Sequence, residues 1–169
     1  MKNNIYIIPG LGETCNLARY QALGNALKSK ESKVIYINPD WYNTLSEQVF
    51  PVGKNDIIIG FSYGAVLAYL ISKKFTCKKI ILASLSPIHK FSYKSLVIDY
   101  CKHMSKKMSE KLSKEIKSIK INLNTLETPR VLLIGEKEKD EFNSDIIIPK
   151  TGHYLTSRYI NVIKQLVSN

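Results

Sequence analysis

The sequence predicts a doubly wound α/β domain built on a mostly parallel sheet of about six strands. Short apolar runs alternate along the chain with segments in which apolar residues recur at the spacing of a helix face. The apolar runs are continuous and do not alternate with polar residues, which is typical of parallel strands buried on both faces. Glycine-rich or polar turns follow several of these runs, and ligands of such folds bind outside the carboxyl ends of the strands.

Each predicted element follows from its own pattern. Six short runs of mostly aliphatic residues are predicted as strands: residues 4–8, 33–37, 56–60, 79–83, 130–134 and 145–148. Helical spacing predicts helices over residues 17–27, 63–75 and 154–167, and residues 44–50 are predicted to form one or two helical turns. No internal repeat or low-complexity tract interrupts this order, so we expect residues 1–169 to form a single domain.

The connection between the fourth and fifth predicted strands departs from this alternation. It holds about forty-five residues, and apolar residues recur at helical steps from Met104 to Ile119, which predicts one amphipathic helix or two. Residues 86–130 contain ten Lys or Arg against four Asp or Glu, and this net charge of +6 is over half of the chain's +11. Because the segment follows the carboxyl end of a strand, we expect residues 86–129 to form a cationic helical lid over that edge of the sheet.

Composition and charge narrow the classes of function. The net charge of +11 implies attraction to nucleic acid, anionic lipid or an acidic protein. The lysine-rich run lacks the interleaved aromatic and arginine residues of nucleic-acid binders, so we expect no nucleic acid. The three cysteines lack the spacing of a zinc site or a disulfide framework, and we expect no metal and no cofactor. No apolar run approaches the roughly 20 residues of a membrane span, and the first ten residues lack the apolar core of a signal peptide, so we expect a cytoplasmic location.

A serine lies between two glycines where the third predicted strand meets a helix. The stretch GFSYG, residues 60–64, follows three isoleucines and precedes a helix rich in small apolar residues. In a sharp strand-to-helix turn the glycines allow strand and helix to approach closely, and the serine Oγ projects above the sheet at the positive end of the helix. A serine hydroxyl is a weak nucleophile unless it is held against a base. This context favours Ser62 as a nucleophile over a packing turn with an incidental serine.

The turn after the first predicted strand is a second candidate element. It has the sequence PGLG, residues 9–12, and a loop of this kind can direct backbone N–H groups toward one point. The amides of Leu11 and of Tyr63, the residue after the serine, are candidate donors of an oxyanion hole for acyl transfer. A phosphate-binding loop is the alternative, but the G-x-G-x-x-G spacing fails because Cys15 stands where the third glycine would be.

A base and an acid are available after the last two predicted strands. His153 stands in TGHY, residues 151–154, between the last strand and the last helix, where it can face Ser62 across the sheet edge. A carboxylate should hold the second imidazole nitrogen. The loop after the fifth strand offers Glu138 and Asp140, and the residues alone leave both open.

These stretches together resemble the α/β-hydrolase superfamily over nearly the whole chain. The resemblance rests on residues 60–64, 9–12 and 152–153, which occur in the expected order and on the expected elements. It implies that Ser62 is the nucleophile, that His153 is the base, and that the two amides named above are the oxyanion donors.

The resemblance also bears on the acid and on the size of the fold. The family often has an acid three positions after a glycine that follows the penultimate strand, which puts Glu138 slightly ahead of Asp140. The first predicted strand corresponds to the family's third, so the resemblance implies a minimal version of the fold. The seven residues from Glu138 to Asp145 span about 23 Å when extended, which allows a parallel last strand but not the usual helix. A hairpin there would place His153 at the wrong end of the sheet.

By this resemblance the protein is a serine hydrolase that cleaves a carboxylic ester or thioester through an acyl-enzyme. A cationic lid suits a substrate on an acidic partner, and in this respect the chain is similar to small esterases that cleave methyl esters of acyl groups on acyl carrier protein, as in biotin synthesis. A lysophospholipase-like lipid esterase would explain the same charge. The alternative outside enzymes is a non-catalytic α/β-hydrolase-like binding protein.

Overall fold

A parallel sheet forms the centre of the molecule. The computed structural model describes residues 3–102 and 105–168. Within them one sheet has the strands β1 (Asn3–Ile8), β2 (Ser32–Tyr36), β3 (Ile57–Phe61), β4 (Lys79–Ala83), β5 (Arg130–Gly135) and β6 (Ile146–Ile148). Their order is β2-β1-β3-β4-β5-β6, and every neighbouring pair is parallel. The predicted doubly wound α/β fold class is confirmed.

Helices connect and cover the strands. In the described part of the chain they are α1 (Ala18–Leu27), α2 (Tyr63–Lys74), α3 (Tyr93–Cys101), α4 (Lys106–Ser118) and α5 (Ser157–Ser168). Short 3₁₀ turns lie at Ser46–Gln48, Ile88–Lys90 and Leu123–Thr125, so the turns predicted at residues 44–50 reduce to one short turn. Among these described helices, none combines the length and the apolar character needed to cross a bilayer.

Each face of the sheet has its own hydrophobic core, because successive side chains of a strand point to opposite faces. Ile58 and Ile80 belong to the core beneath α2 and α4. Ile59 and Ile81 belong to the core beneath α1 and α5. All four side chains are at most 2% exposed, and each such burial contributes roughly 1.5–3 kcal/mol. Helices on both faces explain why the strands are continuously apolar.

The return from β5 to β6 is short and extended. Residues 136–145 contain no helix, and β6 nevertheless pairs in parallel with β5. The carboxylate of Asp145 accepts a hydrogen bond of 2.8 Å from the amide of Leu132, which holds the return against β5. Since β6 is parallel, His153 follows its carboxyl end, at the same edge of the sheet where Ser62 follows β3.

Residues 86–129 contain α3 and α4, of which α4 lies in the predicted apolar series and α3 precedes it. The predicted apolar series begins at Met104, which lies outside the described residues, and continues through α4. Leu112 and Ile116 of α4 are 3% and 2% exposed and pack into the core beneath α2. The lysines of α4 are exposed, so this helix has one buried apolar face and one cationic face.

Candidate active site

Ser62 occupies a strained turn between β3 and α2. Its backbone dihedral angles are φ 55° and ψ −116°, which residues with a side chain rarely adopt. A Cβ on Gly60 would lie 2.3 Å from the carbonyl oxygen of Gly64, and a Cβ on Gly64 would lie 2.3 Å from that of Pro9. Both glycines are therefore needed for α2 to pack this closely over β3 and β1. The Ser62 amide donates to the carbonyl of Ala83 at 2.9 Å, which attaches the turn to the end of β4.

The His153 ring bridges Ser62 and a carboxylate. Its Nε2 lies 2.9 Å from Ser62 Oγ, and its Nδ1 lies 2.6 Å from Glu138 Oε2. The Phe61 ring packs beside the imidazole, with centroids 5.3 Å apart. The His153 side chain is 50% exposed, so its outer edge is open to an incoming molecule.

Three further donors hold Glu138. Its Oε1 accepts hydrogen bonds from the Ser84 hydroxyl at 2.7 Å, the Gly135 amide at 2.9 Å and the Tyr159 hydroxyl at 3.1 Å. Burial by itself would raise the pKa of Glu138, but hydrogen bonds from His153, Ser84 and the Gly135 amide outweigh it and leave that pKa below its ordinary value. The carboxylate is therefore charged at neutral pH. It favours the imidazole tautomer with the proton on Nδ1, which leaves the Nε2 lone pair facing Ser62.

Asp140, the other candidate acid, is engaged elsewhere. Its carboxylate accepts hydrogen bonds from the Ser144 amide at 2.7 Å, the Ser144 hydroxyl at 3.0 Å and the Phe142 amide at 3.2 Å. These bonds close a turn in the return to β6. Of the two carboxylates, the structure brings Glu138 to His153 and leaves Asp140 in that turn.

Sequence reasoning missed two of the groups that hold Glu138. Ser84 follows β4 with φ 48°, and its hydroxyl lies 2.7 Å from that of Tyr159. A polar residue directly behind an apolar strand, at the same edge as Ser62, was an available signal for Ser84. Tyr159 offers no such signal, because it occupies an apolar position of α5 and is 0% exposed. Burial raises the pKa of Tyr159, so its phenol stays protonated and donates.

Hydrogen bonds hold the loop after β1 in place, and one of them goes to Tyr20 of α1. The Glu13 amide donates to the carbonyl of Gly10 at 3.0 Å, across a turn in which Gly12 has φ 72°. The Gly10 amide donates to the Tyr20 hydroxyl at 2.9 Å, and that hydroxyl donates to the Glu13 carboxylate. Leu11 is at the tip of the loop. These bonds hold the backbone on both sides of Leu11.

The loops of Leu11 and His153 are connected by Arg19. Its guanidinium pairs with the Glu13 carboxylate and donates to the Tyr154 hydroxyl at 3.2 Å. It also lies 4.7 Å from the centroid of the Tyr154 ring. Nothing in the sequence pattern pointed to this contact, which joins α1 to the turn after β6.

The two candidate oxyanion donors border one small cavity. Tyr63 is the first residue of α2, where the amide groups carry the positive end of the helix dipole. Leu11 and Tyr63 both line this cavity beside the Ser62 turn. The structure therefore places both candidates on the side of Ser62 where the loop after β1 meets α2.

Together these groups have an arrangement that acyl transfer would require. A hydroxyl, an imidazole and a carboxylate are joined by hydrogen bonds of 2.9 and 2.6 Å, the reach that a nucleophile and its base require. Within residues 3–102 and 105–168, no group of three or more His, Cys, Asp or Glu side chains is placed to hold a metal ion.

Solved structures of other proteins share this architecture. An esterase from Exiguobacterium antarcticum superposes with a TM-score of 0.70 over 99% of this chain and 92% of its own, at 11% identity. The type II thioesterase BorB from the borrelidin biosynthetic cluster superposes with a TM-score of 0.64 over 99% of this chain and 92% of its own, at 13% identity. A lipase-esterase related protein from Clostridium acetobutylicum has a TM-score of 0.63 over 99% of this chain and 93% of its own, at 16% identity.

The chain has an α/β-hydrolase fold. At such low identities the likeness concerns the fold and not the reaction. The sequence itself matches no known protein-family profile and no curated protein. The α/β-hydrolase fold explains why Ser62, Glu138 and His153 meet: they follow β3, β5 and β6, whose carboxyl ends lie at one edge of the sheet.

Proposed function

We propose that the protein is a serine hydrolase that cleaves a carboxylic ester or thioester through an acyl-enzyme. The observation that carries this proposal is the continuous chain of hydrogen bonds from Ser62 Oγ through His153 to Glu138. Esterases and a type II thioesterase among the proteins that share the fold support the choice of substrates.

Acylation begins when Ser62 Oγ attacks the carbonyl carbon and His153 Nε2 takes the hydroxyl proton. The carbonyl oxygen becomes an oxyanion, which accepts hydrogen bonds from the amides of Leu11 and Tyr63. Glu138 stabilises the imidazolium without taking its proton. When the intermediate collapses, His153 gives the proton to the departing alcohol or thiol, and the acyl group remains on Ser62.

Deacylation repeats these steps with water as the nucleophile. His153 takes a proton from the water as its oxygen attacks the acyl carbon. The second tetrahedral intermediate uses the same two amide donors. His153 then returns the proton to Ser62 Oγ, the carboxylic acid leaves, and the site is restored.

The test is hydrolysis of p-nitrophenyl acetate and of an acetyl thioester by the wild type and by Ser62→Ala. We expect Ser62→Ala to lower kcat by at least about 10³-fold, since the nucleophile is lost. Ser72→Ala is the matched control, because Ser72 is a buried serine of α2 that bonds to the carbonyl of Tyr69 and lies away from the site. Undiminished hydrolysis by Ser62→Ala would refute the mechanism. A wild type inactive on both substrates would favour the non-catalytic binding protein.

We also propose that the acyl group arrives on an acidic partner, such as acyl carrier protein. The cationic face of α4 supports this. Lys106, Lys107 and Lys114 are exposed there and make no ion pair with a described residue, whereas Lys111 pairs with Glu47 at 3.0 Å. An unpaired cationic surface steers acidic molecules toward the site. An anionic lipid, as for a lysophospholipase-like enzyme, is the alternative partner.

A further inference from the structure

The proposed mechanism fixes the direction in which an acyl group must lie. His153 donates its proton to the leaving group, so the leaving group faces His153. The carbonyl oxygen faces the amides of Leu11 and Tyr63. The acyl substituent takes the remaining direction, away from His153, and the cavity that Leu11 and Tyr63 line borders the same turn.

This cavity is nearly filled. Its volume is about 10 Å³, which is room for one water molecule. Residues from four parts of the chain line it: Leu11, Trp41, Asn43, Leu45, Tyr63, Leu112, Glu115 and Ile116. On another side of Tyr63 the ring of Phe91 stacks nearly parallel to it, with centroids 6.4 Å apart. Larger cavities lie elsewhere, and one of about 410 Å³ opens at the amino ends of β1 and β3, the opposite edge from Ser62.

Helix α4 forms the outer wall of the cavity and is bonded in place. Leu112 and Ile116 supply the apolar wall, and Glu115 lies between them. The Glu115 carboxylate accepts hydrogen bonds from the Leu45 amide at 2.8 Å and the Ser46 amide at 2.7 Å. Hydrogen bonds from two amides to one carboxylate are charge-assisted and directional, so they hold α4 against the loop that carries Leu45.

The side of the leaving group is open by contrast. The His153 side chain is 50% exposed, and its neighbour Tyr154 is 55% exposed. We propose, resting on the proposed function above, that the protein acts on esters or thioesters of acetyl-sized acids carried on leaving groups of unrestricted size. Leu112, Glu115 and Ile116 set the limit on the acyl group, and the open side at His153 accommodates a large carrier.

Two substrate series test this in the wild type. In p-nitrophenyl esters the acyl chain grows from acetate to butyrate to hexanoate while the leaving group is constant. We expect kcat/KM to fall at least about tenfold from acetate to hexanoate, the discrimination that a filled apolar pocket gives. In the second series, phenyl acetate and 4-butylphenyl acetate have leaving phenols of nearly equal acidity, and we expect kcat/KM values within about threefold of each other.

Variants of α4 test whether this helix limits the length of the acyl group. Leu112→Ala should raise the ratio of kcat/KM for hexanoate to that for acetate about tenfold, because it opens space for further methylene groups. Glu115→Gln keeps the side-chain shape but removes the charge that strengthens the two amide hydrogen bonds holding α4 in place. It should therefore raise the same ratio with little disturbance of the fold. Leu96→Ala is the matched control, since Leu96 is a buried leucine of α3 that does not line the cavity. Thermal unfolding of each variant confirms that it is folded.

Each outcome decides a different claim. A ratio that rises in Leu112→Ala and Glu115→Gln but not in Leu96→Ala supports the inference. Ser62-dependent hydrolysis with equal kcat/KM for acetate and hexanoate overturns the inference and leaves the proposed function standing. An unchanged ratio in both α4 variants also overturns it. A wild type that hydrolyses none of the esters overturns the proposed function and this inference with it.

Discussion

Glu138 and Asp140 lie two positions apart in one loop, and their surroundings give them different roles. Glu138 receives the Ser84, Gly135 and Tyr159 donors and contacts His153. The bonds of Asp140 are confined to its own turn. Both carboxyls have a pKa below the ordinary value, because in each case hydrogen bonds outweigh burial. The pKa alone does not distinguish them, and the contact with His153 does.

Substitution of each carboxylate separates the two roles. Glu138→Gln should lower kcat about 10³–10⁴-fold, because the amide cannot stabilise the imidazolium or hold its tautomer. Asp140→Asn is the matched control and should keep kcat within about threefold, at a cost in unfolding free energy of less than about 1 kcal/mol. Ester hydrolysis and urea denaturation measure both. Loss of kcat in Asp140→Asn with activity kept in Glu138→Gln would reverse the assignment.

The donors of Glu138 also predict a pH-dependent stability. A carboxyl with a lowered folded pKa contributes stability that is present above its unfolded pKa of about 4.3 and is lost as pH falls through the folded value. Tyr159→Phe removes one hydrogen-bond donor to the Glu138 carboxylate, so it should lower the unfolding free energy by about 2 kcal/mol at pH 7. The loss should be smaller at pH 3, because the stability that the charged carboxylate contributes falls with pH. Tyr69→Phe is the control, because the Tyr69 hydroxyl bonds to backbone groups of Lys120 and Asn122. Urea denaturation at both pH values should show a cost that changes for Tyr159→Phe and not for Tyr69→Phe. An equal cost for Tyr159→Phe at the two pH values would contradict this.

The turn from β3 to α2 is the element on which the site depends. In this turn Ser62 has a positive φ, and two glycines face backbone atoms of neighbouring elements. The loop after β1 packs against the same turn, and α1 holds that loop through Tyr20.

Two glycine substitutions distinguish a steric requirement from a conformational one. Gly64→Ala places a Cβ 2.3 Å from the carbonyl oxygen of Pro9, so we expect a loss of about 3 kcal/mol or more in unfolding free energy. A Cβ at Gly12 meets nothing within 4 Å, and only its φ of 72° opposes a side chain. Gly12→Ala should therefore cost about 1–2 kcal/mol. Urea denaturation compares them, and an equal cost would show that the close approach of α2 is not required.

Tyr20 positions the loop that carries Leu11. Tyr20→Phe removes the acceptor of the Gly10 amide, so we expect kcat to fall about tenfold with little change in KM, less than the loss of an oxyanion donor itself. Tyr36→Phe is the control, since the buried Tyr36 hydroxyl makes no hydrogen bond with a described residue. A rise in KM at constant kcat would show that Tyr20 affects ground-state binding instead.

At the scale of the whole molecule the charge is uneven. Residues 86–130 carry +6 of the +11 net charge, and α4 brings part of that excess to the rim of the site. Lys107→Glu with Lys114→Glu should raise KM for an acyl group on acyl carrier protein at least about tenfold at low salt, but not for p-nitrophenyl acetate.

The matched control for this charge reversal has the same change in net charge. Lys30→Glu with Lys54→Glu alters exposed lysines before β2 and β3, at the opposite edge of the sheet. The effect of the α4 variant should fade as ionic strength rises, since the screening length is about 8 Å at 0.15 M. An equal rise in KM for both pairs would point to net charge and not to the α4 face. A strong effect on anionic vesicle binding but none on the carrier would favour the lipid partner.

Much of the fold was predictable because local patterns specify it. The continuous aliphatic runs indicated parallel strands, and GFSYG at the end of one of them indicated the turn that holds Ser62. Whether β6 would run parallel was open, because a short extended return is compatible with either direction. The bond from Leu132 to Asp145 and the pairing with β5 decide it.

The sequence by itself determined the order of strands and helices and the presence of a serine, a histidine and two carboxylates behind strand ends, because these depend on neighbours along the chain. Only the tertiary structure selected Glu138 over Asp140, supplied Ser84 and Tyr159 as donors, and placed α4 over the cavity beside Ser62. These features depend on contacts between residues up to 75 positions apart. Such contacts are set by the packing of helices on the sheet, which no short stretch of sequence encodes.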